Sequence, residues 1–600
     1  MGQYHSRINK STVQSSTRCW VGGFWEVDML CSRKNHPTWH RYKILISTLE
    51  KATDTAAREA AEAQFGIGSA DSAAAYSVLF ETSSSPKTKI LHTSARFVIQ
   101  EALVDPLLNR YSVVIIAEYH LRILETDLIL GLLKKILKRR DDIHLLIAGV
   151  TIESLDLLSM YLPDAKVLTL NTPTHTVDLH NISASTDNYI TAALETVLGF
   201  SATRILGNIV VFLPSREGHE LKTRLEDISY TSSESPDVQS VNSLFELQRL
   251  EKDIGNAEST GHVIITSLHP GLIARCIPVT IVVDSGFQEL RYSRYGFANL
   301  ARTQQISQET ANLRTRIAGL STLGKCYRLY PQDQFDRFQK TDTPEIQRIC
   351  LDHLILQLKS LGVDNILRFD YLSPPLAPMI AEALHRLVVL GAMGENSELT
   401  KPFGEQLAQL PLMPLHGAVL LRSLEKGCFD QILSLIAIYL SKGEFFDHGK
   451  SQSFAAQEGD GLTWLNIYES FIKSAPAPAR RNWCQKYGLS EQRLLKAVDI
   501  RSQILRILQY KGIKTIKSEL ATSTTITRCI ADVYKRNYAF HISNGLFRTA
   551  EGSLEVRIHP SSVLYNRHPE FIVFEELVES NGKLFVKDVT SVKRDWMSER

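Results

Sequence analysis

The chain has 600 residues, of which 44% are hydrophobic and 22% are charged, a composition that excludes an intrinsically disordered polypeptide. Because one hydrophobic core rarely extends beyond about 250 to 300 residues, this length predicts roughly three to five domains. Lys and Arg total 67 against 65 for Asp and Glu, so the net charge of +2 provides no overall attraction to nucleic acid. Any contact with a polyanion must therefore be local.

The cysteine pattern and the apolar runs indicate the general class of the protein. The eight cysteines are scattered without a Cys-x-x-Cys pair, which argues against a zinc site or a disulfide framework and predicts reduced, intracellular thiols. No apolar run approaches the roughly 18 residues needed to cross a bilayer, and the first residues lack a signal-peptide pattern. We expect a soluble protein that is not secreted, although Gly2 fits the short, permissive myristoylation pattern.

The first part of the chain predicts an irregular segment followed by a parallel-sheet unit. Residues 1–45 hold three tryptophans among polar residues without a clear period, and the Ala- and Glu-rich residues 48–65 favour a helix. A β-branched run at 113–116 and an apolar run at 145–148 flank an amphipathic stretch at 128–137. This order predicts a βαβ unit, whose parallel sheet is buried on both faces.

A second α/β set follows along the chain. Apolar runs at 209–213, 263–265 and 280–283 alternate with a helical pattern at 217–225, which predicts a second parallel sheet. Residues 229–243 are rich in Ser, Asp and Pro, which predicts a loop or a poorly ordered insert.

The sequence changes character after Pro344. Amphipathic patterns there predict a mainly helical region, with long helices at 345–361, 379–390 and 432–440. From about residue 540, short β-like runs alternate with turns and suggest a small β-barrel, with strands at 554–558, 571–574 and 584–586.

Several long strings carry a resemblance to a known family. EALVDPLLNRYSVVIIAEYH (101–120) and TDLILGLLKKILKRR (126–140) resemble the segment around the motif that names the DEAH-box RNA helicases, and GNIVVFLPSREGHEL (207–221) resembles the start of their second RecA-like domain. Later matching strings are GKCYRLY (324–330), TPEIQR (343–348), LILQLKSLGVDNILRFDYLSPP (354–375) and IHPSSVLY (558–565). LTWLNIYESFIK (462–473) and NWCQKYGLS (482–490) are most similar to the spliceosome-associated branch.

The resemblance, which runs from about residue 76 to the end, implies an α/β multidomain fold. It implies two RecA-like parallel-sheet domains, the first degenerate or truncated, followed by winged-helix, helical-bundle and OB-like β-barrel domains. The expected limits are an irregular segment at 1–45, RecA-like domains at 46–165 and 166–340, a winged helix at 341–415, a helical bundle at 416–525 and an OB-like domain at 526–600.

An ATP-hydrolysing member of this family needs a phosphate-binding loop with a lysine, a Mg²⁺ carboxylate, a water-orienting base and arginines opposite the transferred phosphoryl group. The loop should follow a strand near residues 15–35, but no Lys-Ser/Thr follows Gly22-Gly23 there, so this loop could not hold phosphates. The only Gly-Lys-Ser, at 449–451, has Glu444 where the motif needs Gly and has no preceding strand, so we interpret it as a chance match.

The metal motif reads Ala117-Glu118-Tyr119-His120 where the family has Asp-Glu-Ala-His. Ala117 removes the carboxylate that would hold Mg²⁺, so we expect no metal site. Glu118 is either a residual water-orienting base or a strand-end carboxylate retained by descent. His120 and Thr151 are the residual residues that could contact a nucleotide.

The motifs that couple the nucleotide to RNA also depart from the family pattern. Ser-Ala-Thr is replaced by Gly149-Val150-Thr151. TSLHPGL (266–272) stands where the family has Thr-Asn-x-Ala-Glu-Thr, and its proline and glycine would remove a backbone donor and reshape the loop.

The last motif keeps one arginine of three. NLRTRIAGL (312–320) stands where the family has Gln-Arg-x-Gly-Arg-x-Gly-Arg, so Arg314 is the residual motif arginine. Ile317 and Leu320 replace the two that would act as arginine fingers, each worth about 10³ to 10⁵ in rate.

RNA binding could outlast the loss of hydrolysis. Glu50 lies roughly where a family arginine contacts the RNA backbone, which weakens the case for the first domain. In the C-terminal part the RNA-binding candidates are Arg557, His559, Lys583 and Lys587, and the candidate stacking aromatics are Phe540, Phe547 and Tyr565. Equally, these aromatics could fill a barrel core and the charges could be solvated surface. The KKILKRR run (134–140) is interpreted as a solvated helix end.

Three hypotheses about function remain open. The first is a DEAH-like protein that has lost ATP hydrolysis and acts as an RNA- or protein-binding component of nuclear RNA processing, with pre-mRNA splicing preferred and a spliceosomal or G-patch-type protein as a candidate partner. The second is an active ATP-dependent RNA helicase with atypical motifs, which would need ATP and Mg²⁺. The third is a decaying, non-functional paralogue. We expect neither a membrane nor a DNA partner, and a nuclear rather than a cytoplasmic location.

Overall fold

A computed structural model of the chain describes residues 19–22, 44–48, 74–78, 81–82, 88–149, 155–168, 175–184, 188–202, 207–229, 237–256, 261–294, 297–320, 322–441, 452–474, 477–515, 521–580 and 582–598. Within them two parallel-sheet α/β units are followed by a helical region and a C-terminal mixed sheet. This architecture confirms the predicted fold class. The predicted helix at 48–65 and the 449–451 match lie outside the described residues, and no described helix is long and apolar enough to cross a membrane.

The first sheet has eight strands in the order β4-β3-β5-β2-β6-β7-β1-β8. Its strands are β1 Cys19–Gly22, β2 Ile44–Thr48, β3 Ala74–Val78, β4 Glu81–Thr82, β5 Ile90–Ser94, β6 Val113–Ile116, β7 His144–Ala148 and β8 Lys166–Val167. All pairs are parallel except β3–β4. β1, which falls within the segment expected to be irregular, is a regular strand beside β7, with Gly22 opposite Ala148.

The predicted βαβ unit forms the core of this first domain. The four residues of β6 are all buried, as expected for β-branched side chains in a parallel sheet covered on both faces. The helix Leu124–Leu137 connects β6 to β7 and buries Leu128, Leu130 and Leu133. Helices Ala95–Val104 and Leu155–Tyr161 complete the described layers.

The second sheet is all parallel, in the order β11-β12-β10-β13-β16-β9. Its strands are β9 Val177–Asn181, β10 Asn208–Phe212, β11 Asp237–Val241, β12 His262–Thr266, β13 Val279–Asp284 and β16 Gly324–Arg328. Helices that flank or connect them are Tyr189–Ala202, Ser215–Ser229, Leu244–Asn256, Pro270–Cys276, Gln308–Ile317 and Gln332–Asp336. The predicted strands and the helix at 217–225 are confirmed.

The prediction of a loop across 229–243 is wrong for residues 237–241. These residues form β11, which pairs in parallel with β12 from Asp237 opposite His262 to Val241 opposite Thr266. Since β11 is an edge strand, its polar residues can remain in contact with water while Val241 packs in the core. Composition alone therefore mistook a polar edge strand for a loop.

The region after β16 is mainly helical. Its helices are Asp352–Ser360, Ala377–Val389, Phe403–Gln409, Pro414–Lys426, Phe429–Ser441, Asp460–Lys473, Ala477–Lys486, Glu491–Tyr510 and Ser523–Val533. The predicted helices at 379–390 and 432–440 are confirmed. The predicted single helix at 345–361 is wrong, because a short 3₁₀ turn at Glu345–Gln347 precedes the helix Asp352–Ser360.

The break in that helix has a physical cause. The Arg348 guanidinium donates to the carbonyl oxygens of Thr343 and Arg291, at 3.1 and 2.9 Å. The Glu345 carboxylate accepts from the Leu124 backbone N–H at 3.0 Å and so caps the first domain's central helix. TPEIQR is therefore a joint that ties the first domain to the hairpin of the second.

The C-terminal mixed sheet has the order β21-β22-β19-β18-β17-β20-β23. Its strands are β17 Tyr538–Ser543, β18 Leu546–Thr549, β19 Glu555–Ile558, β20 Phe571–Val573, β21 Glu576–Ser580, β22 Lys583–Lys587 and β23 Thr590–Ser591, followed by a helix at Arg594–Ser598. The antiparallel hairpin β14 Phe287–Arg294 and β15 Phe297–Gln305 extends from the second domain, and its Leu300 is buried in this sheet's core. The predicted strands are confirmed, whereas the domain limits stay predictions.

Candidate nucleotide cleft and RNA-binding surface

The carboxyl ends of four strands meet at one edge of the first sheet. In parallel α/β sheets this edge is where ligands bind. β6 ends there at Ile116, and the backbone N–H of the next residue, Ala117, donates to the Ser47 carbonyl of β2 at 2.8 Å. β1 and β7 end beside it at Gly22 and Ala148, and Gly149 follows β7. The predicted motif positions therefore do come together in space.

The side chains at this edge do not fit a magnesium-bound nucleotide. Ala117, at the position expected to hold the metal, is buried and has no oxygen donor. Glu118 follows in a left-handed backbone conformation (φ 57°), which residues other than glycine adopt uncommonly, and its side chain is buried. Within the described ranges no group of three or more His, Cys, Asp or Glu could hold a metal ion.

Tyr119 and Gly149 fill the space behind this edge in a complementary way. Tyr119 is 1% exposed and lies in the hydrophobic core of the first domain. A Cβ atom at Gly149 would lie 2.3 Å from Cε1 of the Tyr119 ring, far inside van der Waals contact. The large ring therefore occupies the place that a side chain at position 149 would need. Tyr119 leaves no room for a side chain at position 149, so Gly149 accompanies Tyr119 and is not a separate loss of a motif residue.

His120 faces the second domain across the cleft. Its ring centroid lies 5.5 Å from that of His269, with the rings tilted by 49°. Removal from water lowers the pKa of His120 to about 4. The same effect, together with His120 and Arg314, lowers the pKa of His269 well below its ordinary value. Both imidazoles are therefore neutral at physiological pH, and the cleft is bridged by two uncharged rings.

Pro270 and Gly271 begin a helix, and the prediction that they reshape the loop relative to the family pattern stays a prediction. Pro270 opens the helix Pro270–Cys276 at a position where a backbone N–H has no helical partner, so its missing donor costs nothing. The His269 side chain caps this helix, with Nδ1 accepting from the Gly271 N–H at 3.2 Å. The segment keeps an ordinary helix start.

The Arg314 side chain is held by contacts within the second domain. Its guanidinium donates to Asp284 Oδ1 at 2.6 Å and to the Phe287 carbonyl at 3.0 Å, and it lies over the Phe212 ring. The Tyr330 hydroxyl donates to the other Asp284 oxygen at 2.7 Å. These contacts hold Arg314 inside the second domain rather than in the cleft.

The two residues at the finger positions belong to the core. Ile317 is 2% exposed within the hydrophobic cluster beneath the second sheet, and Leu320 packs against the same cluster. Both side chains are apolar, so neither provides the positive charge that an arginine finger would bring to the cleft. Thr151 and Glu50, which the sequence also singles out, lie outside the described residues.

The interpretation of KKILKRR as a solvated helix end is wrong for Lys134 and Arg140, whereas Lys135 is exposed. Lys134 pairs with Asp370 at 2.9 Å, and Lys135 lies over the Phe369 ring. Arg140 is buried and donates to three backbone carbonyls at residues 107, 108 and 111. This run fastens the first domain internally and to the helical region.

The four RNA-binding candidates share one face of the C-terminal sheet. Val556, Ile558 and Val586 point into the core, so the alternating residues Arg557, Lys583 and Lys587 point outward. β19 and β22 pair in parallel with Arg557 opposite Phe585. The His559 ring meets the Phe585 ring edge-on at 5.9 Å. We call Arg557, His559, Lys583, Phe585 and Lys587 the basic sheet face.

The predicted aromatic candidates separate into different environments. Phe547 is fully buried in the sheet core, so the expectation that it offers a stacking face is wrong. Phe540 is partly buried, and Tyr565 is 43% exposed. Sequence reasoning missed Phe585, although its position two residues from both Lys583 and Lys587 places it on their face of a strand.

Comparison with known proteins gives consistent results. An oligonucleotide/oligosaccharide-binding (OB) fold matches residues 526–599, and the winged-helix helicase associated domain (HA2) matches residues 383–412. The probable ATP-dependent RNA helicase DHX35 of Homo sapiens is 32% identical over 541 residues, which cover 85% of this chain and 76% of that protein.

Two fission yeast proteins extend the comparison. A putative pre-mRNA-splicing factor ATP-dependent RNA helicase of Schizosaccharomyces pombe is 32% identical over 87% of this chain and 83% of its own length. The pre-mRNA-splicing factor ATP-dependent RNA helicase prp22 of the same organism is 30% identical over 87% of this chain and 46% of its own length.

Proposed function

Because the chain belongs to the DEAH-box RNA helicase family, we propose that it is a helicase-like component of pre-mRNA splicing that binds RNA or protein without hydrolysing ATP. Relatives named as pre-mRNA-splicing factors support the process and a nuclear location. A spliceosomal or G-patch-type protein is the proposed kind of partner.

The composition of the cleft is the main support for the proposed loss of ATP hydrolysis. The strand-end position that must hold Mg²⁺ is Ala117, a buried apolar residue, and the opposite side of the cleft presents neutral His269 rather than a cation. Phosphoryl transfer relies almost wholly on positioning and on charges that stabilise the transferred group. With apolar residues also at Ile317 and Leu320, the described part of the cleft lacks the metal-binding carboxylate and both finger arginines.

Glu118 is the observation that favours the alternative of an active helicase. It is the residue expected to orient the attacking water, and it lies at the end of β6 next to the cleft. A water-orienting base without the metal and the arginines leaves most of the barrier in place. We therefore assign Glu118 no catalytic step.

The packing of the cleft argues against a decaying paralogue. Tyr119 and Gly149 fit each other, and the Asp284 carboxylate accepts from both Arg314 and Tyr330. Random loss of constraint would leave cavities and unpaired buried charges instead. The pattern supports a fold maintained for binding.

ATP turnover by the purified chain tests the proposal. We expect phosphate release that is equal in the wild type and in Glu118→Gln and that single-stranded RNA does not stimulate. Glu576→Gln is the matched control, because Glu576 is an exposed carboxylate on β21. RNA-stimulated hydrolysis that Glu118→Gln abolishes and Glu576→Gln preserves would establish the active-helicase alternative.

A further inference from the structure

A small cavity lies between the helical region and the C-terminal sheet. It measures about 20 Å³, and one water-sized group needs roughly 10 to 15 Å³. Helices Pro414–Lys426, Phe429–Ser441 and Ser523–Val533 form one side, and residues 573–575, 588 and 590 form the other. The cavity exists only because the two domains pack together, and it is remote in the fold from the nucleotide cleft.

Two polar groups in the lining lack hydrogen bonds within the described part of the chain. Tyr534 is 6% exposed, and its hydroxyl makes no hydrogen bond there. The Nδ1 atom of His416 is also buried without a partner, while its Nε2 donates to Glu575 Oε1 at 2.6 Å. Buried polar groups are costly unless satisfied, and both atoms can accept a hydrogen bond from a donor placed in the cavity.

The charge of the lining is negative. Glu575 and Asp588 contribute carboxylates, and no lysine or arginine of the described residues belongs to the lining. Burial, followed by Glu575 and Asp588, raises the pKa of Tyr534 well above its ordinary value. Burial, followed by Asp588 and Glu575, does the same for Tyr439. Both tyrosines therefore stay neutral, and the carboxylates act on both hydroxyls.

The size and the donors required select one kind of cation. An ammonium group is close to water in size and carries three N–H donors, which match an imidazole nitrogen, a phenol oxygen and a carboxylate. A guanidinium group has four heavy atoms in a plane and exceeds a cavity of this volume. The Tyr439 ring, which stacks on His416 with centroids 6.0 Å apart, adds an aromatic face of the kind that attracts cations.

We propose that this cavity binds a primary ammonium group, carried by a lysine side chain of a partner protein or by a free amine. Glu575, which lines the cavity, has a side chain that is 22% exposed, and we place the entry for the ammonium group beside it. This site is independent of whether the chain hydrolyses ATP or binds RNA.

Thermal unfolding of the full chain tests the site. Methylammonium chloride at constant ionic strength is expected to raise the unfolding midpoint in a saturable way, because it binds only the folded state. Tetramethylammonium chloride carries the same charge without N–H donors and is expected to leave the midpoint unchanged. Equal shifts with both salts, or no shift with either, would overturn the proposal and leave a cavity that holds water.

Matched variants locate the effect. Tyr534→Phe and Glu575→Gln should weaken methylammonium binding about tenfold or more, the scale of one lost charge-assisted hydrogen bond. Tyr371→Phe, which removes another buried hydroxyl, and Glu576→Gln, the adjacent carboxylate, should not. If Tyr534→Phe does not fold, Asp588→Asn replaces it, because asparagine tolerates the left-handed conformation at 588 (φ 53°). Equal affinity in all variants would contradict the site.

A second probe identifies the source of the ammonium group. Nα-acetyl-lysine methylamide presents the same group on a peptide unit, and Nα-acetyl-arginine methylamide should not bind. Binding of methylammonium together with the lysine probe supports a partner side chain, and binding of methylammonium alone supports a free amine. Binding of the arginine probe as tightly as the lysine probe would contradict the proposed selectivity.

Discussion

Motif positions of the family lie at the edge of the first sheet and in the interior of the second sheet. The metal-binding residue is replaced at the first place, and one arginine is retained at the second. At the first edge the metal position is Ala117 and the neighbouring space is filled by Tyr119. In the second sheet Arg314 survives, and it is bonded to Asp284 and to the Phe287 carbonyl. The difference indicates that Arg314 persists because it supports the fold, whereas the metal position at Ala117 was replaced because it would serve only the ligand.

The largest expected effect comes from breaking the second-sheet contacts. Asp284→Ala would leave the Arg314 guanidinium buried without its anion, which costs about 3 to 5 kcal/mol of folding stability. Urea unfolding measures this loss. Asp333→Ala is the control, because Asp333 belongs to an exposed pair with Arg337 and its removal should cost no more than about 0.5 kcal/mol. Equal losses in the two variants would refute a structural role for Arg314.

The first edge can be tested through the fit of Tyr119 and Gly149. Gly149→Ser forces a side chain into the Tyr119 ring, which should cost about 1 to 3 kcal/mol. Tyr119→Ala provides the missing space, so the double variant should lose less than the sum of the single variants, by a coupling of about 0.5 to 3 kcal/mol. Urea unfolding of the four proteins gives the coupling. Strictly additive losses would show that the two substitutions are unrelated.

The basic sheet face extends the comparison to RNA. Replacing Lys583 and Lys587 together by Gln should weaken binding of single-stranded RNA and reduce the slope of log affinity against log salt by about 1.4, at roughly 0.7 per phosphate contact. Filter binding over a range of salt concentrations measures the slope. Lys401→Gln, a change at an exposed lysine of the helical region, should leave it unaltered.

Phe585→Ala separates stacking from charge on the same face. If bases stack on Phe585, affinity should fall by about 1 to 3 kcal/mol while the salt slope stays constant. If neither the affinity nor the salt slope changes in any of these variants, RNA does not bind this face, and a purely protein-binding role is favoured.

A further test is the pH dependence of the His120–His269 contact. The pKa of His120 is lowered from 6.5 to about 4, so between these values the unfolded chain binds the proton more readily than the folded chain does. Stability from this residue therefore rises with pH from about 4 to 6.5 and is constant above. His120→Phe should remove that rise while keeping a ring against His269. An identical pH profile of urea midpoints in both proteins would contradict a buried neutral His120.

Local sequence patterns predict the parts of the fold that local chemistry determines. The buried runs at β6, β10 and β13 and the helix Leu124–Leu137 have clear periods, and all are present. The strand β1 could not be predicted, because its regularity comes from pairing with β7, more than a hundred residues away. The break at Arg348 likewise depends on carbonyl groups of a distant hairpin.

The site shows the same limit. Sequence motifs identify which charged groups are replaced, at Ala117, Ile317 and Leu320. They do not indicate what fills the vacated space, because the contacts of Tyr119 with Gly149 and of His120 with His269 arise only when separate segments fold together. The sequence thus shows which charged groups are replaced, and the tertiary packing shows which side chains fill the space.

Leu300, buried among the side chains of the C-terminal sheet, has a consequence for synthesis on the ribosome. Phe547, in the same core, follows it by nearly 250 residues. At about 5 to 20 residues per second, the hairpin tip emerges roughly 10 to 50 s before the strands that cover it. During that interval an apolar residue on an extended hairpin is open to wrong pairing and to chaperones. The C-terminal sheet thus covers an apolar residue of the second domain, which is synthesised much earlier.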